Sequence, residues 1–472
     1  MRRRREWLIL CTLGIGSVMG TMNNTVVVTT LPVIRDSFGA DLSSIEWVLM
    51  SYLLTISMLL TTFGRLGDIW GHKRVYLVGL MVFIIASALC SISPSLWFLI
   101  ISRALQAVGG AMLIANSSAI VSRYFLPERR GQMLSLLYTI ASLGTLIGPS
   151  LGGFLATAFE WRSIFYANVL LGIVGAAVSL RVLPDTRPGG KRESFDILGA
   201  GVLGIGLGAL LLAVSKGQDL GWTSPPIISS IVVSMLFLMI FFRLERSLEH
   251  PMIDITLFRN RVFSLAMSSA FVSYICIFAG LFLTPFFLMQ GRGFSPAVAG
   301  QIYSAQPIGM LVSTPLSGYL SDRIGARIPS TFGALAIAAG LFMFHNLGAQ
   351  SSEWEALIAL AVLGIGNGFF IGPNASTIMG SAPPERQGVA SAVVATARNL
   401  GMVFGIASAG AILAWQVAVR SAVQPDTQAS FIGAFQDTLL VMMFVALIGA
   451  MTSIAGSPAR SRALATHRAP KA

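Results

Sequence analysis

GRLGDIWGHKR, residues 64–74, has a second copy: GYLSDRIGAR occupies 318–327. Each follows an apolar run and orders its glycine, acidic and basic residues alike. Two more pairs stand nearly the same distance apart, PERRG (127–131) with PERQG (384–388) and LIANSS (113–118) with IGPNAS (371–376). The offsets are 254, 257 and 258. Residues 7–183 and 262–457 therefore read as two copies of one unit, and internal repeats of this kind characterise secondary transporters, whose substrate sites lie near midplane between the halves.

The composition agrees with a chain built for lipid. Of 472 residues, 54% are hydrophobic and only 11% charged, against roughly a quarter charged in a soluble domain. The mean hydropathy of +0.76 comes from blocks of about 20 residues, the length that crosses a hydrocarbon core. These blocks fall near 7–31, 45–63, 75–92, 95–120, 132–157, 163–182, 196–215, 225–243, 263–289, 297–317, 328–348, 354–379, 389–416 and 436–456. Lipid offers backbone groups no partner, so the expected fold class is an all-α polytopic membrane protein of fourteen helices. Its divisions are a six-helix bundle over 1–183, an inserted helix pair with its loops over 184–261, a second bundle over 262–457 and a tail over 458–472. The inserted pair is rich in glycine, has no polar side chain before Ser215, and reads as structural. MRRRREWLIL at the start reads as an uncleaved first span.

Charge orients the helices. Of 32 Lys and Arg, 25 fall in the loops that are cytoplasmic if the N-terminus is inside, and only Arg35, Arg162, Lys216, Arg292 and Arg420 fall in the others. This split predicts a cytoplasmic N-terminus, a cytoplasmic tail and a place in the cytoplasmic membrane. It also accounts for the net charge of +12 without nucleic acid. Cys11, Cys90 and Cys276 lie singly within spans, and the four histidines are scattered, so no metal site is expected. No GxxxxGK[ST] stretch exists to bind nucleotide, and no soluble block is large enough for an enzyme. No cofactor is expected, and a monomer is assumed.

Three motifs suggest mechanism. In 64–74, Gly64 and Gly71 permit a tight turn, while Asp68, with His72, Lys73 and Arg74 close by, is placed to pair with a basic group or a helix N-terminus and hold an inner gate. Asp322 and Arg323 repeat the pattern. GTLIGPSLGG (144–153) sets Gly144, Gly148 and Gly152 on one helix face, with Pro149 removing a backbone bond, and Gly153 follows. Polar residues inside spans mark the expected pathway: Asn23, Asn24, Tyr52, Arg103, Gln106, Asn116, Tyr138, Tyr274, Tyr303, Gln306, Asn367, Asn374, Arg398 and Asn399. No acid lies deep in any span, and the nearest are Glu46 and Asp437 at outer ends. Arg103 and Arg398 lie roughly 12–15 Å deep by helix rise, so the expected pathway is net positive at midplane.

On these residues the chain resembles the major facilitator superfamily. The 64–74 loop is similar to the family's loop signature. Arg103 and Gln106 in SRALQAVGG are similar to its fourth-span motif, with Ala107 where a glycine is usual. GTLIGPSLGG resembles the fifth-span motif of its antiporters. The fourteen-span layout and LFRNRVF (257–263) resemble its drug:proton antiporter branch. GTMNNTVVVTTLP (20–32) is similar to that branch's first-span signature, with Asn23 in place of an acid. The resemblance implies proton-coupled export of amphipathic compounds by alternating access. Because Asn23 carries no proton, two readings stay open. Glu46, near the same outer end, takes the titrating role, or the carrier moves an anionic or zwitterionic metabolite with little proton coupling.

Overall fold

The structure, a computed structural model, describes residues 2–125, 127–184, 197–247, 255–383, 387–422 and 427–456. The expected tail at 458–472, most of the 184–195 loop, and Pro384, Glu385 and Arg386 of the second PERQG lie outside the described residues.

Among those described, every regular element is helical: α1 (Arg2–Phe38), α2 (Leu42–Ile45), α3 (Trp47–Trp70), α4 (His72–Ser91), α5 (Leu96–Tyr124), α6 (Pro127–Phe159), α7 (Ser163–Val182), α8 (Ile197–Leu220), α9 (Pro225–Ser247), α10 (Arg261–Phe286), α11 (Pro296–Tyr303), α12 (Ala305–Ile324), α13 (Arg327–His345), α14 (Glu353–Ser381), α15 (Gln387–Ser421) and α16 (Thr427–Gly456). Helix starts follow local chemistry. Ser95 caps α5 by accepting from Phe98 N, and Ser352 caps α14 by accepting from Glu355 N, satisfying donors that the first turn leaves open. Glu353 and Glu355 in the first turn of α14 complement its dipole.

Among the described residues, twelve helical segments are long and apolar enough to cross a bilayer. The remaining two expected spans, α1 and the pair α11–α12, fall short of that apolarity. α1 carries Asn23, Asn24 and five threonines, and α12 carries Gln306, Ser313, Thr314 and Ser317. The span expected at 297–317 is also two helices rather than one, because Pro307 has no N–H to give the carbonyl of Tyr303, and the chain turns at Ser304.

The chain packs as two compact units. Met1–Leu244 with Leu288–Ser304 form one, and Glu245–Phe287 with residues from Ala305 form the other. Each contains the same glycine contacts. In the first, a Cβ on Gly109 would meet Gly79 O at 2.7 Å, so α4 and α5 touch at their backbones. In the second, a Cβ on Gly333 would meet Gly366 O at 2.7 Å, joining α13 to α14. Gly144 and Gly148 of α6 lie against α1 in the first unit, and Gly401 and Gly405 of α15 lie against α10 in the second. These glycines are separated by 254 or 257 residues, the offsets of the loop motifs. The repeat read from loops is thus a repeat of helix packing.

The charge split makes a direct prediction about α8 and α9. With Cys11 replaced by Ser, an impermeant thiol reagent added outside cells should label Thr223→Cys and spare Arg259→Cys. Labelling of Arg259→Cys alone would invert the orientation.

Candidate functional site

The stretch 20–32 gives α1 two faces with different tasks. Thr21, Thr25 and Thr29 recur every four residues, so they share one face. They meet the glycine face of α6. A Cβ at Gly144 would come within 2.5 Å of Thr21 Oγ1 and 2.7 Å of Val18 O. At Gly148 it would strike Thr25, and at Gly152 it would meet Thr29 Oγ1 at 3.0 Å. Thr21 Oγ1 donates across to Ala141 O at 2.6 Å. Thr25 and Thr29 bond carbonyls of their own helix, which leaves no hydroxyl unsatisfied at the contact. Further along α6, a Cβ on Gly153 would strike Pro296 of α11, and one on Gly300 would strike Pro149. Ser150 Oγ and Ser304 Oγ are 2.8 Å apart. The expected antiporter-motif glycines are therefore contact residues for α1 and α11.

Asn23 points the other way and joins several helices. Its Nδ2 donates to Gln106 Oε1 of α5 at 3.3 Å, and its Oδ1 accepts from Asn168 Nδ2 of α7 at 3.0 Å. Gln106 Nε2 donates to Ser87 Oγ of α4 at 2.7 Å. Arg103 completes the network. Nη1 donates to Gln106 Oε1 at 2.6 Å, Nε donates to Val48 O of α3 at 3.1 Å, and the guanidinium lies 4.2 Å from the centroid of the Tyr52 ring. Asn23, Arg103 and Gln106 are wholly buried. No carboxylate reaches Arg103 among the described residues, and its Nη2 finds no acceptor there. A charge at the bilayer centre costs ~2.5 kcal/mol or more. Hydrogen bonds to a charged group return ~1.5–3 kcal/mol each, and a desolvated cation–π contact adds ~2 kcal/mol. The arginine is thus held by neutral groups. Asn168 and Ser87 escaped the sequence reading because nothing local in α7 or α4 marks them for a partner on another helix.

The other expected pathway residues are dispersed. Tyr138 is exposed, its Oη 3.3 Å from Ser118 Oγ. Asn24 Oδ1 is buried without a partner among the described residues. Tyr303 is buried at the end of α11. In the second unit, Tyr274, Gln306, Asn367, Asn374 and Asn399 are buried while Arg398 is exposed. Asn374 Nδ2 donates to Ala266 O at 3.2 Å, and Asn367 Nδ2 points at Met310 Sδ, 3.6 Å away. None of these six side chains hydrogen-bonds another among the described residues. Glu46 is not part of the Asn23 network; its partner is Ser215 of α8.

Asn116 was expected in the pathway, and the structure places it against the 64–74 loop. Its Oδ1 is 2.8 Å from His72 Nδ1. His72 Nε2 lies 3.3 Å from Asp68 Oδ1, and Arg123 Nη2 of α5 is 2.5 Å from the same oxygen. Arg123 of α5 therefore pairs with Asp68 across the helices, with His72 beside it. The turn is made at Gly71, whose φ of 93° suits glycine; Gly64 lies inside α3, about two turns before the bend. In the second unit Gly325 repeats the turn with φ 86°. There Asp322 is exposed and the Arg323 guanidinium lies 4.4 Å from the Tyr319 ring centroid. Asp68→Asn should reduce transport severalfold at an unchanged membrane level, as should Arg123→Gln. The double variant should be no worse than either alone, since all three break one contact. Additive losses would separate the two residues.

This architecture has known counterparts. Residues 13–406 match the Major Facilitator Superfamily, and the chain belongs to that family. It is 31% identical over 448 residues to the riboflavin transporter RibZ of Clostridioides difficile (strain 630), covering 94% of this chain and 97% of that one. It is 32% identical to the multidrug resistance protein Stp of Mycobacterium tuberculosis (strain ATCC 25618 / H37Rv), covering 87% and 76%. It is 28% identical to the methylenomycin A resistance protein of Bacillus subtilis (strain 168), covering 86% and 87%. Among solved structures, a bacterial homologue of the human lysosomal transporter Spinster in an inward-facing, unoccupied conformation aligns with a TM-score of 0.70 at 14% identity, covering 99% of both chains. At that identity the likeness is one of fold. The protein is a secondary transporter that acts on small molecules in a lipid bilayer.

Proposed function

We propose that this carrier exports amphipathic, drug-like compounds from the cytoplasm in exchange for protons. The observation that carries the reading is the glycine face of α6 set against the threonine face of α1. A contact made largely of backbone and hydroxyl groups suits two helices that change their mutual position during alternating access. Relatives named for multidrug and methylenomycin resistance support export. The charge split supports the cytoplasmic membrane as location, with both termini inside, and one chain carries both repeats, as a working monomer needs.

A second reading, a carrier of an anionic or zwitterionic metabolite, is favoured by Arg103, whose charge is met by no carboxylate among the described residues. The relative named for riboflavin transport supports this reading. Purified protein in liposomes separates the two. Export of ethidium and tetraphenylphosphonium, with riboflavin unmoved, supports the first. Movement of riboflavin or small carboxylates, with both cations unmoved, supports the second.

A further inference from the structure

The inserted helices carry chemistry as well as apolar surface. The last turns of α8 bring Ser215, Lys216 and Asp219 against α2 and the start of α3. Glu46, between α2 and α3, is wholly buried. Its Oε1 accepts from Ser215 Oγ, and its Oε2 has no hydrogen-bond partner among the described residues. Ser215 Oγ also lies 3.0 Å from Ser43 O. The charged groups facing Glu46 are Lys216 and Asp219 from α8 and Asp41 from the α1–α2 turn. Lys216 is already committed: its Nζ donates to Asp41 Oδ2 at 2.7 Å, Ser43 Oγ at 2.7 Å and Ser44 Oγ at 2.8 Å, and lies 3.4 Å from Asp219 Oδ2. One ammonium thus serves three carboxyl groups and forms an ion pair with only two.

Those two differ from Glu46 in what they touch. Burial pushes Asp41 upward, but hydrogen bonds from Lys216, Ser44 and Ser43 outweigh it and hold the carboxyl well below the usual carboxylate range. Asp41 therefore stays ionised at ordinary pH. It also lines an open cleft of about 550 Å³ together with Phe38, Ser44, Pro94 and Ser95, on the side that the charge pattern assigns to the outside. Asp41 and Ser44, both bonded to Lys216, thus face that cleft. Glu46 is left as the carboxyl that is buried, bonded on one oxygen only among the described residues, and two residues along the chain from Ser44 at the cleft.

We propose that Glu46 is the proton-binding carboxyl of the transport cycle and that α8 completes its site through Ser215 and Lys216. The inference rests on the proton-coupled reading above. One proton passes from water to the Glu46 carboxylate, giving the neutral acid, and later returns to water; no other bond forms or breaks. Ionised Glu46 takes the Ser215 hydroxyl and shares the field of Lys216, which draws α8 onto α2. Protonation removes one of three negative charges and loosens that attachment. The inserted pair then reports the proton state of Glu46 to the first unit.

The test uses full-length protein in nanodiscs and needs no substrate. Infrared difference spectra between alkaline and acid buffer should show a protonated-carboxyl band that is lost in Glu46→Gln. Lys216→Met and Ser215→Ala each remove a group that favours the carboxylate, so each should move the midpoint of that band upward, Lys216→Met by about one pH unit. In inverted vesicles, ethidium transport driven by a pH gradient should be lost in Glu46→Gln. A band that survives Glu46→Gln, with gradient-driven transport intact, overturns the inference and leaves proton coupling standing. Wild-type transport indifferent to the gradient overturns the proton-coupled reading, and this inference with it.

Discussion

Gly148→Leu is expected to abolish transport while leaving the protein in the membrane. The site has no room for a side chain. A Cβ there would already strike Thr25 and come within 3.3 Å of Met22 O. Leucine adds three more carbons at the point where α6 crosses α1. Overpacking of this kind costs ~1–3 kcal/mol, and a bias of that size on one conformation shifts a two-state equilibrium roughly 5- to 150-fold. The loss should appear as trapped conformation rather than as unfolding, because α6 has other contacts, among them Gly153 against Pro296. Gly148→Ala should fall between wild type and leucine. Thr25→Ala in the Gly148→Ala background should restore part of the loss, since it removes the Oγ1 that the new methyl meets. Normal transport by Gly148→Leu would reduce the glycine face to ordinary packing.

The second large effect is expected at Arg103. Arg103→Ala removes two charged hydrogen bonds and the contact with Tyr52, and it leaves Gln106 Oε1 without its shortest donor. Transport should fall at least about tenfold, corresponding to ~1.4 kcal/mol or more. Stability should change far less, since the variant also removes a buried charge that no carboxylate balances. Arg103→Lys should rescue little. Lysine keeps the charge but lacks the planar fork that reaches Val48 O and Gln106 together. A thermal-shift comparison beside the transport rate distinguishes the cases. A destabilised Arg103→Ala that still transports would make the residue a structural one.

Much of the fold was legible because its rules are local. Apolar length set the helices, and the glycine contacts at Gly79, Gly109, Gly333 and Gly366 recur at the spacing of the loop repeats. The break at Ser304 was also written locally, in Pro307, but apolar periodicity runs straight through it and hides it. The threonine face was equally visible, since Thr21, Thr25 and Thr29 have the spacing of Gly144, Gly148 and Gly152; the two asparagines between them drew attention instead. What local pattern does not carry is pairing between distant segments. Asp68 meets Arg123, Asn23 meets Asn168, and Glu46 meets Ser215, each across 55 residues or more of chain. Asn116 shows the converse: its place in an apolar run suggested the pathway, whereas the turn of α5 that carries it faces His72.

The central claim, proton-coupled transport, is tested most directly in inverted vesicles loaded at one pH and diluted into another, with ethidium uptake followed against time. The account predicts uptake when the vesicle interior is acid, collapse of uptake when a protonophore removes the gradient, and no response to ATP once the gradient is clamped. Uptake that proceeds equally with the gradient present, absent or reversed would contradict it.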